Sequence, residues 1–330
     1  MRGNGGEAMN RRSFITLVGT AAVAASSFDA HAQQTGLPRK VGVLIPGVLG
    51  ENRERLVNEG LTSELGNEKS ILLIRSAEGD DGLLRKYAAE LAASAEVILS
   101  FGSTCLVAAR QASQTVPIVA IDLESDPVAS GVAQSLNRPG GNVTGIFLDA
   151  PEIAGKWIQI IGEMRPGIRK VALLYDSRLD QTQLKSAEKT AANIGIETLR
   201  LGIDNPGEFR DAFRRAADAK VDAMLVHSSP IFVDQSSLIA GLAREFLLPS
   251  IGLFPVYAQT GGLISYGPNN FELVKQAGGI VGKVLRGAKP AEFPIQRPIY
   301  LSFLINLSTA RLLKLTVPAS LSALADEVIE

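Results

Sequence analysis

From Lys40 onward, short apolar segments rich in β-branched residues alternate with segments whose apolar residues recur at helical spacing. This alternation restricts the fold more than any other feature of the sequence, because strands joined by helical crossovers form parallel sheets. The predicted strands are residues 41–46, 71–76, 97–101, 117–123, 143–147, 170–176, 196–201, 223–227, 249–254 and 263–266. The predicted helices are residues 51–65, 82–93, 104–114, 154–164, 181–193, 206–217, 236–245 and 271–285. We therefore expect an α/β protein.

The alternation restarts half-way along the chain. The segment VALLYDS after Lys170 is similar to VGVLIPG after Lys40, and Pro-Gly turns at 139–141 and 166–167 stand between the two halves. A chain of 330 residues is also long for one core. The sequence predicts two doubly wound, Rossmann-like lobes, whose ligands would bind in a cleft at the carboxyl ends of the parallel strands.

Composition excludes several classes of function. Lys and Arg number 33 against 34 Asp and Glu, so the chain lacks the basic excess that binds nucleic acid. Cys105 is the single cysteine, so an intrachain disulfide is excluded, and His31 and His227 are too few for a His/Cys metal cluster. The glycines at 42–50 match neither dinucleotide-binding nor phosphate-loop motifs. We expect no nucleic-acid partner, metal or cofactor.

Residues 1–32 have the features of an export signal. Arg11 and Arg12 precede an uncharged stretch at 13–28, and small residues flank a predicted cleavage site after about Ala32. The stretch is too short to span a bilayer comfortably, and no stop-transfer pattern follows it. We expect a soluble mature chain in the periplasm. The arginine pair fits a twin-arginine signal as well as an ordinary secretory one, and both routes stay open.

Several longer motifs are distinctive. They are RRSFITLVG and AQQ in the signal region, KVGVLIPG at the first strand, PIVAIDLESDPVASGVAQSLNRPGGNVTGI, GGLISYGPN, and FLINLSTARLLKLTVPASLSALADEVIE at the carboxyl terminus. In these motifs the chain resembles the substrate-binding proteins of ABC transporters, including the tryptophan/tyrosine-type proteins. The resemblance covers essentially the whole mature chain.

This resemblance implies a type I periplasmic-binding-protein fold, in which hinge crossings join two lobes. The first lobe would comprise residues 39–149 plus about 271–297, and the second residues 150–270 plus about 298–330. A protein of this family captures a small-molecule solute by hinge closure and passes it to the transmembrane subunits of an ABC permease, whose ATPase lies on the cytoplasmic side. No chemistry on the ligand is implied.

Two loops of the first lobe carry candidate ligand-binding residues. Ser103 and Thr104 follow the strand at 97–101 and open a helix, where hydroxyls and backbone N–H groups suit a ligand carboxylate. The alternative is that one of them only caps the helix. Asp126 follows the next strand, where it would either pair with a ligand amine or cap a helix, and the cap is the favoured role.

The second lobe offers facing candidates. Asp176, Ser177 and Arg178 follow its first strand, at a place where related proteins often have Asn-Pro-x-Asn-Pro. Asp176 suits a ligand ammonium group and Arg178 a carboxylate, although charges in loops are more often simply solvated. Ser228 ends another strand and is a better candidate than the adjacent His227, for which packing within the strand is an equal alternative.

Scarce aromatic residues near these loops form the last set of candidates. Phe232 and Tyr257 are predicted to stack on a flat ligand, with packing inside the lobe as the alternative. Packing is at least as plausible for Tyr266.

The residues and the resemblance together predict a periplasmic receptor for an amino-acid-like or aromatic carboxylate. Two other classes stay open. One is a sensor subunit that presents its closed form to a membrane signalling receptor. The other is an exported α/β enzyme that uses Cys105 or Asp126, against which stands the lack of a convergent His, acid and nucleophile.

Overall fold

Two separate β-sheets organise the chain. The computed structural model describes residues 37–47 and 52–330, apart from the side chains of residues 182 and 183. The predicted export signal therefore lies outside the described residues. The first sheet has the order β2-β1-β3-β4-β5 and is parallel throughout. Its strands are β1 (Arg39–Ile45), β2 (Ser70–Ser76), β3 (Val97–Phe101), β4 (Ile118–Asp122) and β5 (Val143–Phe147).

The second sheet has the order β12-β11-β10-β9-β8-β6-β7. Its strands are β6 (Lys170–Asp176), β7 (Glu197–Ile203), β8 (Ala223–Val226), β9 (Ser250–Gly252), β10 (Ile264–Pro268), β11 (Leu301–Asn306) and β12 (Glu327–Ile329). Every strand predicted between residues 41 and 266 is present. The expectation of parallel sheets is wrong for one pair, because β11 runs antiparallel to β10. The chain leaves β10 at Pro268 and re-enters the sheet beside it at Leu301, so the direction reverses.

Helices cover both sheets. Those that follow strands of the first lobe are α1 (Arg53–Leu65), α2 (Asp81–Ser94) and α3 (Ser103–Ala112). Those that accompany the second sheet are α4 (Ala150–Met164), α5 (Thr182–Asn193), α6 (Phe209–Asp218), α7 (Pro230–Asp234), α8 (Ser236–Glu245), α9 (Pro255–Gln259), α11 (Leu307–Leu312) and α12 (Ala319–Leu324). A short 3-10 turn, Pro206–Glu208, precedes α6, where the sequence predicts one continuous helix.

Polar residues before the helices fix where several of them begin. Asp80 accepts a hydrogen bond from the Leu83 N–H at 2.8 Å, and Asn269 accepts hydrogen bonds from two N–H groups in the first turn of α10 (Asn270–Leu285). Such caps satisfy backbone donors that have no partner inside the helix.

Helix α10 returns to the first lobe and packs against α1. The two backbones approach closely at Gly60 and Gly278, where a Cβ atom on Gly60 would overlap the carbonyl oxygen of Lys275. Residues of α10 such as Val274 and Ile280 belong to the same buried apolar cluster as Leu56 of α1. Helix α1 is therefore covered by a segment that is distant in sequence.

Arg297 ties the crossing segments between the lobes together. Its guanidinium donates hydrogen bonds to the carbonyl oxygens of Phe147 and Leu148 at 3.0 and 2.7 Å, and it forms an ion pair with Asp149 at 3.5 Å. Although the sheets are separate, residues 39–330 form one compact unit. In the described part of the chain, no helix is long and apolar enough to cross a membrane.

Candidate functional site

A cavity of about 370 Å³ lies between the carboxyl ends of strands from both sheets. This volume falls within the roughly 300 to 1,000 Å³ that is usual for pockets of small ligands. The ionisable residues of its described lining are Arg53, Glu124 and Asp234, and Ser228 adds a hydroxyl. The cavity follows the strand-end rule for doubly wound sheets, because its walls include the ends of β1, β3 and β4 and the loop after β8.

Arg53 provides the positive charge of the cavity. It lies at the start of α1, and its guanidinium carbon is 5.0 Å from the centroid of the Phe101 ring. Burial lowers the pKa of Arg53, and the charge of Asp234 opposes that shift. An arginine side chain keeps its proton in proteins. The first lobe thus presents a fixed cation beside an aromatic ring, which suits a ligand carboxylate.

Asp234 brings a negative charge to the same cavity from the opposite lobe. It is the last residue of α7, and burial raises its pKa while the charge of Arg53 lowers it. Arg53 and Asp234 therefore offer opposite charges from opposite lobes.

Glu124 is a buried carboxyl group that both lobes contact. Its Oε1 accepts a hydrogen bond from the Ser228 hydroxyl at 2.7 Å, and its Oε2 accepts one from the Ser103 N–H at 3.2 Å. Burial, followed by the nearby charge of Asp122, raises the pKa of Glu124 well above the usual range of a glutamate. Because Ser228 lies in the second lobe, the hydrogen bond to Glu124 holds the two lobes together at the cavity.

Apolar side chains form most of the remaining wall. Phe101 and Phe254 come from the two lobes, and Phe271 stands on α10. Phe271 is 54% exposed, which places it at the mouth of the cavity. Opposite charges combined with phenylalanine rings suit a small ligand that has both charged groups and a flat or apolar part.

Among the predicted ligand-binding residues, Ser228 is the one that lines this cavity. Ser103 contributes its backbone N–H to Glu124, whereas neither Ser103 nor Thr104 belongs to the lining. Asp126 caps a turn outside the lining, where it accepts hydrogen bonds from the N–H groups of Val128 and Ala129, both at 2.8 Å. The sequence favours a role for Asp126 as the cap of a helix, whereas the structure has a turn at this position.

The loop after β6 is held by its own hydrogen bonds. The Arg178 guanidinium donates to both carboxylate oxygens of Asp176 at 2.9 and 2.7 Å, and the Ser229 hydroxyl donates to Asp176 at 2.8 Å. Burial would raise the pKa of Asp176, but the hydrogen bonds from Arg178 and Ser229 outweigh it and lower the pKa. Ser177 donates a hydrogen bond to Asp204. These three predicted residues do not line the cavity.

The predicted aromatic contacts lie within the second lobe. Phe232 is buried and packs edge-to-face on Phe209, with ring centroids 5.4 Å apart. The buried Tyr257 hydroxyl is 2.6 Å from the Ser250 hydroxyl, and Tyr266 packs edge-to-face on Phe303. Neither Phe232 nor Tyr257 lines the cavity that contains Arg53 and Asp234, so a stacking role for either stays a prediction.

Of two further residues that the sequence singles out, His227 is half-buried and Cys105 is buried. The Nε2 atom of His227 is buried and has no hydrogen-bond partner among the described residues, and burial lowers the pKa of His227 to about 4. Cys105 belongs to the apolar cluster of the first lobe, and burial raises the pKa of its thiol. A buried thiol with a raised pKa is a poor nucleophile.

The charged lining residues were missed in the sequence, and a signal was present for one of them. Glu124 follows β4 by two residues, which is the position that selected the other candidates, whereas Arg53 begins α1 and Asp234 ends α7. The rule that ligands bind at the carboxyl ends of parallel strands identifies the correct edge of each sheet. It does not identify which residue of a loop points into the cavity, because capping and local pairing compete for the same side-chain types.

Two α/β lobes, joined by crossing segments and enclosing a ligand-sized cavity between their strand ends, define the type I periplasmic-binding-protein fold. Solved structures agree with this fold. The chain matches an ABC domain in complex with L-Trp from Streptococcus pneumonia, with a TM-score of 0.80, 22% identity and coverage of 89% of this chain and 100% of that one. It also matches a ligand-free, open substrate-binding protein with adhesive properties from Clostridium difficile, with a TM-score of 0.64, 19% identity and coverage of 88% and 99%.

The sequence profile of the ABC transporter substrate binding protein family matches residues 51–329. The chain belongs to this family, as its motifs predict, and the family is one of binding proteins rather than enzymes. A relative described as a tyrosine-binding protein, from Clostridioides difficile strain R20291, is 24% identical over 220 residues. That match covers 66% of this chain and 63% of the relative's length.

Proposed function

We propose that this chain is the periplasmic receptor of an ABC importer. It captures an amino-acid-like or aromatic carboxylate between its lobes and delivers it to the transmembrane permease subunits. In this proposal the first 32 residues direct export and are removed. The lobes are residues 39–149 plus about 271–297, and 150–270 plus about 298–330, and they close on the ligand about the crossing segments that Arg297 ties together.

One observation carries the proposal: the cavity holds a guanidinium from one lobe and a carboxylate from the other, and phenylalanine rings belong to the same lining. Arg53 pairs with the ligand carboxylate, and Asp234 with its ammonium group. A residue that contacts the ligand from each lobe makes binding stabilise the closed form, as capture requires.

The names of the relatives point to the same chemistry. One relative is described as a tyrosine-binding protein, and one structural neighbour holds L-Trp. Both ligands combine an α-amino acid with a flat aromatic ring. The first compounds to test are therefore L-tryptophan, L-tyrosine and benzoate, followed by other amino acids and, as compounds without a carboxylate, sugars.

The test is a thermal-shift screen of the purified protein, stripped of co-purified ligand, followed by calorimetric titration. A ligand at a hundred times its Kd stabilises the folded protein by about 2.7 kcal/mol, which gives a clear rise in Tm. We expect a rise with an aromatic amino acid or an aromatic carboxylate and none with sugars. Uniform absence of a shift for the folded protein would contradict the proposal.

A matched pair of variants tests the site itself. Arg53→Ala removes the cation of the cavity, and a charge-assisted hydrogen bond of about 1.5 to 3 kcal/mol corresponds to at least a tenfold loss of affinity. Arg55→Ala is the control, because Arg55 is two residues further along α1, exposed, and paired with Glu59. Equal affinity in both variants would remove Arg53 from the site.

A further inference from the structure

Glu124 takes part in a hydrogen bond across the cleft, and it also lies next to a second buried carboxyl group, which belongs to its own lobe. Ser228 of the second lobe donates to its Oε1, and the Ser103 N–H of its own lobe donates to its Oε2. Glu124 is 8% exposed and lines the cavity. A carboxyl group in this position has a different environment in the closed and open forms.

Asp122 lies directly behind Glu124, at the end of β4. It is 1% exposed and accepts hydrogen bonds from the N–H groups of Glu124 and Ser125, both at 3.0 Å, and from the Ser125 hydroxyl. All these donors belong to the first lobe. Asp122 therefore keeps its surroundings when the lobes separate.

Two adjacent buried carboxyl groups are not easily ionised together. Glu124 and Asp122 are hydrogen-bonded to each other, and burial and the charge of Asp122 both raise the pKa of Glu124. Burial also raises the pKa of Asp122, while its hydrogen bonds oppose that shift. The proton of the pair thus resides on Glu124, which donates to Asp122.

Three other titratable groups lie near Glu124, and none of them provides the interaction that the proton on Glu124 provides. Cys105 of α3 interacts with Glu124 electrostatically, and burial keeps its thiol protonated. Arg53 of α1 and Asp234 of α7 line the same cavity and interact with each other. None of these groups is among the hydrogen-bond partners of the Glu124 carboxyl group.

Opening of the cleft removes specific contacts of Glu124. The Ser228 hydroxyl belongs to the second lobe, as does Pro230, which approaches Gly102 next to Glu124. Without them, water reaches the Glu124 carboxyl group, and hydration favours its charged form. Loss of the Ser228 hydrogen bond acts in the opposite direction, but burial is the largest cause of the raised pKa, so the net effect of opening is to lower it. The Ser103 N–H remains to hold the carboxylate in the open form.

We propose that Asp122 and Glu124 form a proton-linked latch, in which closing of the lobes takes up a proton from solvent at Glu124 and opening releases it. This inference rests on the proposed function, since it concerns closure about the same cavity. The protonated Glu124 hydrogen-bonds to Asp122 and Ser228 at once, and the ionised Glu124 favours the hydrated, open cleft.

The sign of the pH effect follows from linkage. The closed form binds more protons than the open form at pH values between the pKa of Glu124 in the open form and its higher pKa in the closed form. Closure, and with it ligand affinity, is therefore favoured as pH falls through this interval. A single proton limits the effect to about tenfold in affinity per pH unit.

The experiment has one arm without ligand and one with it. In the first arm, small-angle X-ray scattering follows the radius of gyration of the ligand-free protein from pH 5 to 9. In the second, L-tryptophan is titrated at pH 7 in two buffers of different ionisation enthalpy, which gives the number of protons taken up on binding. The variant is Glu124→Gln, which resembles protonated Glu124, and the control is Glu197→Gln, whose side chain is 77% exposed in β7.

We expect the parent protein and Glu197→Gln to become more compact as pH falls and to take up protons when L-tryptophan binds. Glu124→Gln should be equally compact at every pH and should bind without proton uptake. Binding of L-tryptophan with no proton uptake in the parent protein would overturn the latch while leaving the proposed function intact. If L-tryptophan fails to bind, the scattering arm decides alone, and a radius that is independent of pH, or a pH dependence retained in Glu124→Gln, overturns the latch.

Discussion

Arg53 of the first lobe and Asp234 of the second face the same cavity with opposite charges, and each opposes the shift that burial imposes on the other's pKa. Each charge belongs to a different lobe, so a ligand that pairs with both connects the lobes. The same arrangement distinguishes ligands that carry both charges from ligands that carry only a carboxylate.

Replacement of Asp234 by Asn is expected to separate these two ligand classes. The amide removes the partner of a ligand ammonium group, so the affinity for an amino acid should fall at least tenfold, in line with about 1.5 to 3 kcal/mol for a hydrogen bond to a charged group. The affinity for benzoate should be unchanged or higher, because Arg53 then has no competing anion. Calorimetric titration of both ligands checks this, and equal losses for both would contradict the role of Asp234.

Two roles are open for Asp176, and replacement of this residue distinguishes them. The sequence predicts a ligand contact, whereas its carboxylate accepts hydrogen bonds from Arg178 and Ser229 and lies outside the cavity lining. We expect Asp176→Ala to lower the free energy of unfolding by about 1 to 3 kcal/mol, as loss of a buried acceptor does, with ligand affinity unchanged. Denaturant unfolding and calorimetry on one preparation measure both quantities. A large loss of affinity at unchanged stability would restore the ligand role.

His227 makes the folded protein sensitive to acid. Burial lowers its pKa from 6.5 to about 4, so between these values the unfolded chain binds a proton that the folded protein does not. Stability contributed by the neutral ring is complete above pH 6.5 and falls as the pH decreases toward 4. We expect His227→Phe, which retains a ring beside Trp157, to reduce the loss of unfolding free energy between pH 7 and 4.5 by about 2 to 3 kcal/mol. An identical pH dependence in both proteins would contradict this.

The close contact between α1 and α10 depends on glycines, which have no side chain to separate the two backbones. We expect Gly60→Ala to lower the free energy of unfolding by about 1 to 3 kcal/mol, because its methyl group would overlap the Lys275 carbonyl oxygen. Gly241 of α8 is the matched control, since no atom lies within 4 Å of the position a Cβ would take. Gly241→Ala should raise stability by about 0.5 to 1 kcal/mol through helix propensity. Thermal or denaturant unfolding compares the two, and similar effects for both would be inconsistent with the tight contact.

Periodicity and turn residues were sufficient to predict β1 to β10, because a mostly apolar run between turn residues indicates a strand whatever surrounds it. They did not predict β11 and β12. The direction of β11 depends on where the chain returns from the first lobe, and that return depends on the packing of α10 on α1, a contact that is distant in sequence.

The site was less predictable than the fold. Ser228 was selected because it follows a strand, and it lines the cavity, where its hydroxyl donates to Glu124. Asp126 and Asp176 occupy comparable positions but satisfy backbone N–H groups and Arg178 instead. Whether a carboxylate at a strand end caps, pairs locally or faces the ligand depends on side-chain geometry that one sequence does not record.

The return of α10 to the first lobe also has a consequence for how the protein is made. Synthesis proceeds from the amino terminus at about 5 to 20 residues per second, so roughly 7 to 28 s separate the end of β5 from the end of α10. During that time α1 lacks the helix that it packs against. The second lobe in turn waits for β11 and β12, close to the carboxyl terminus. The partners of α1 and of β10 are thus made late, so neither sheet has its full packing until the last third of the chain has been synthesised.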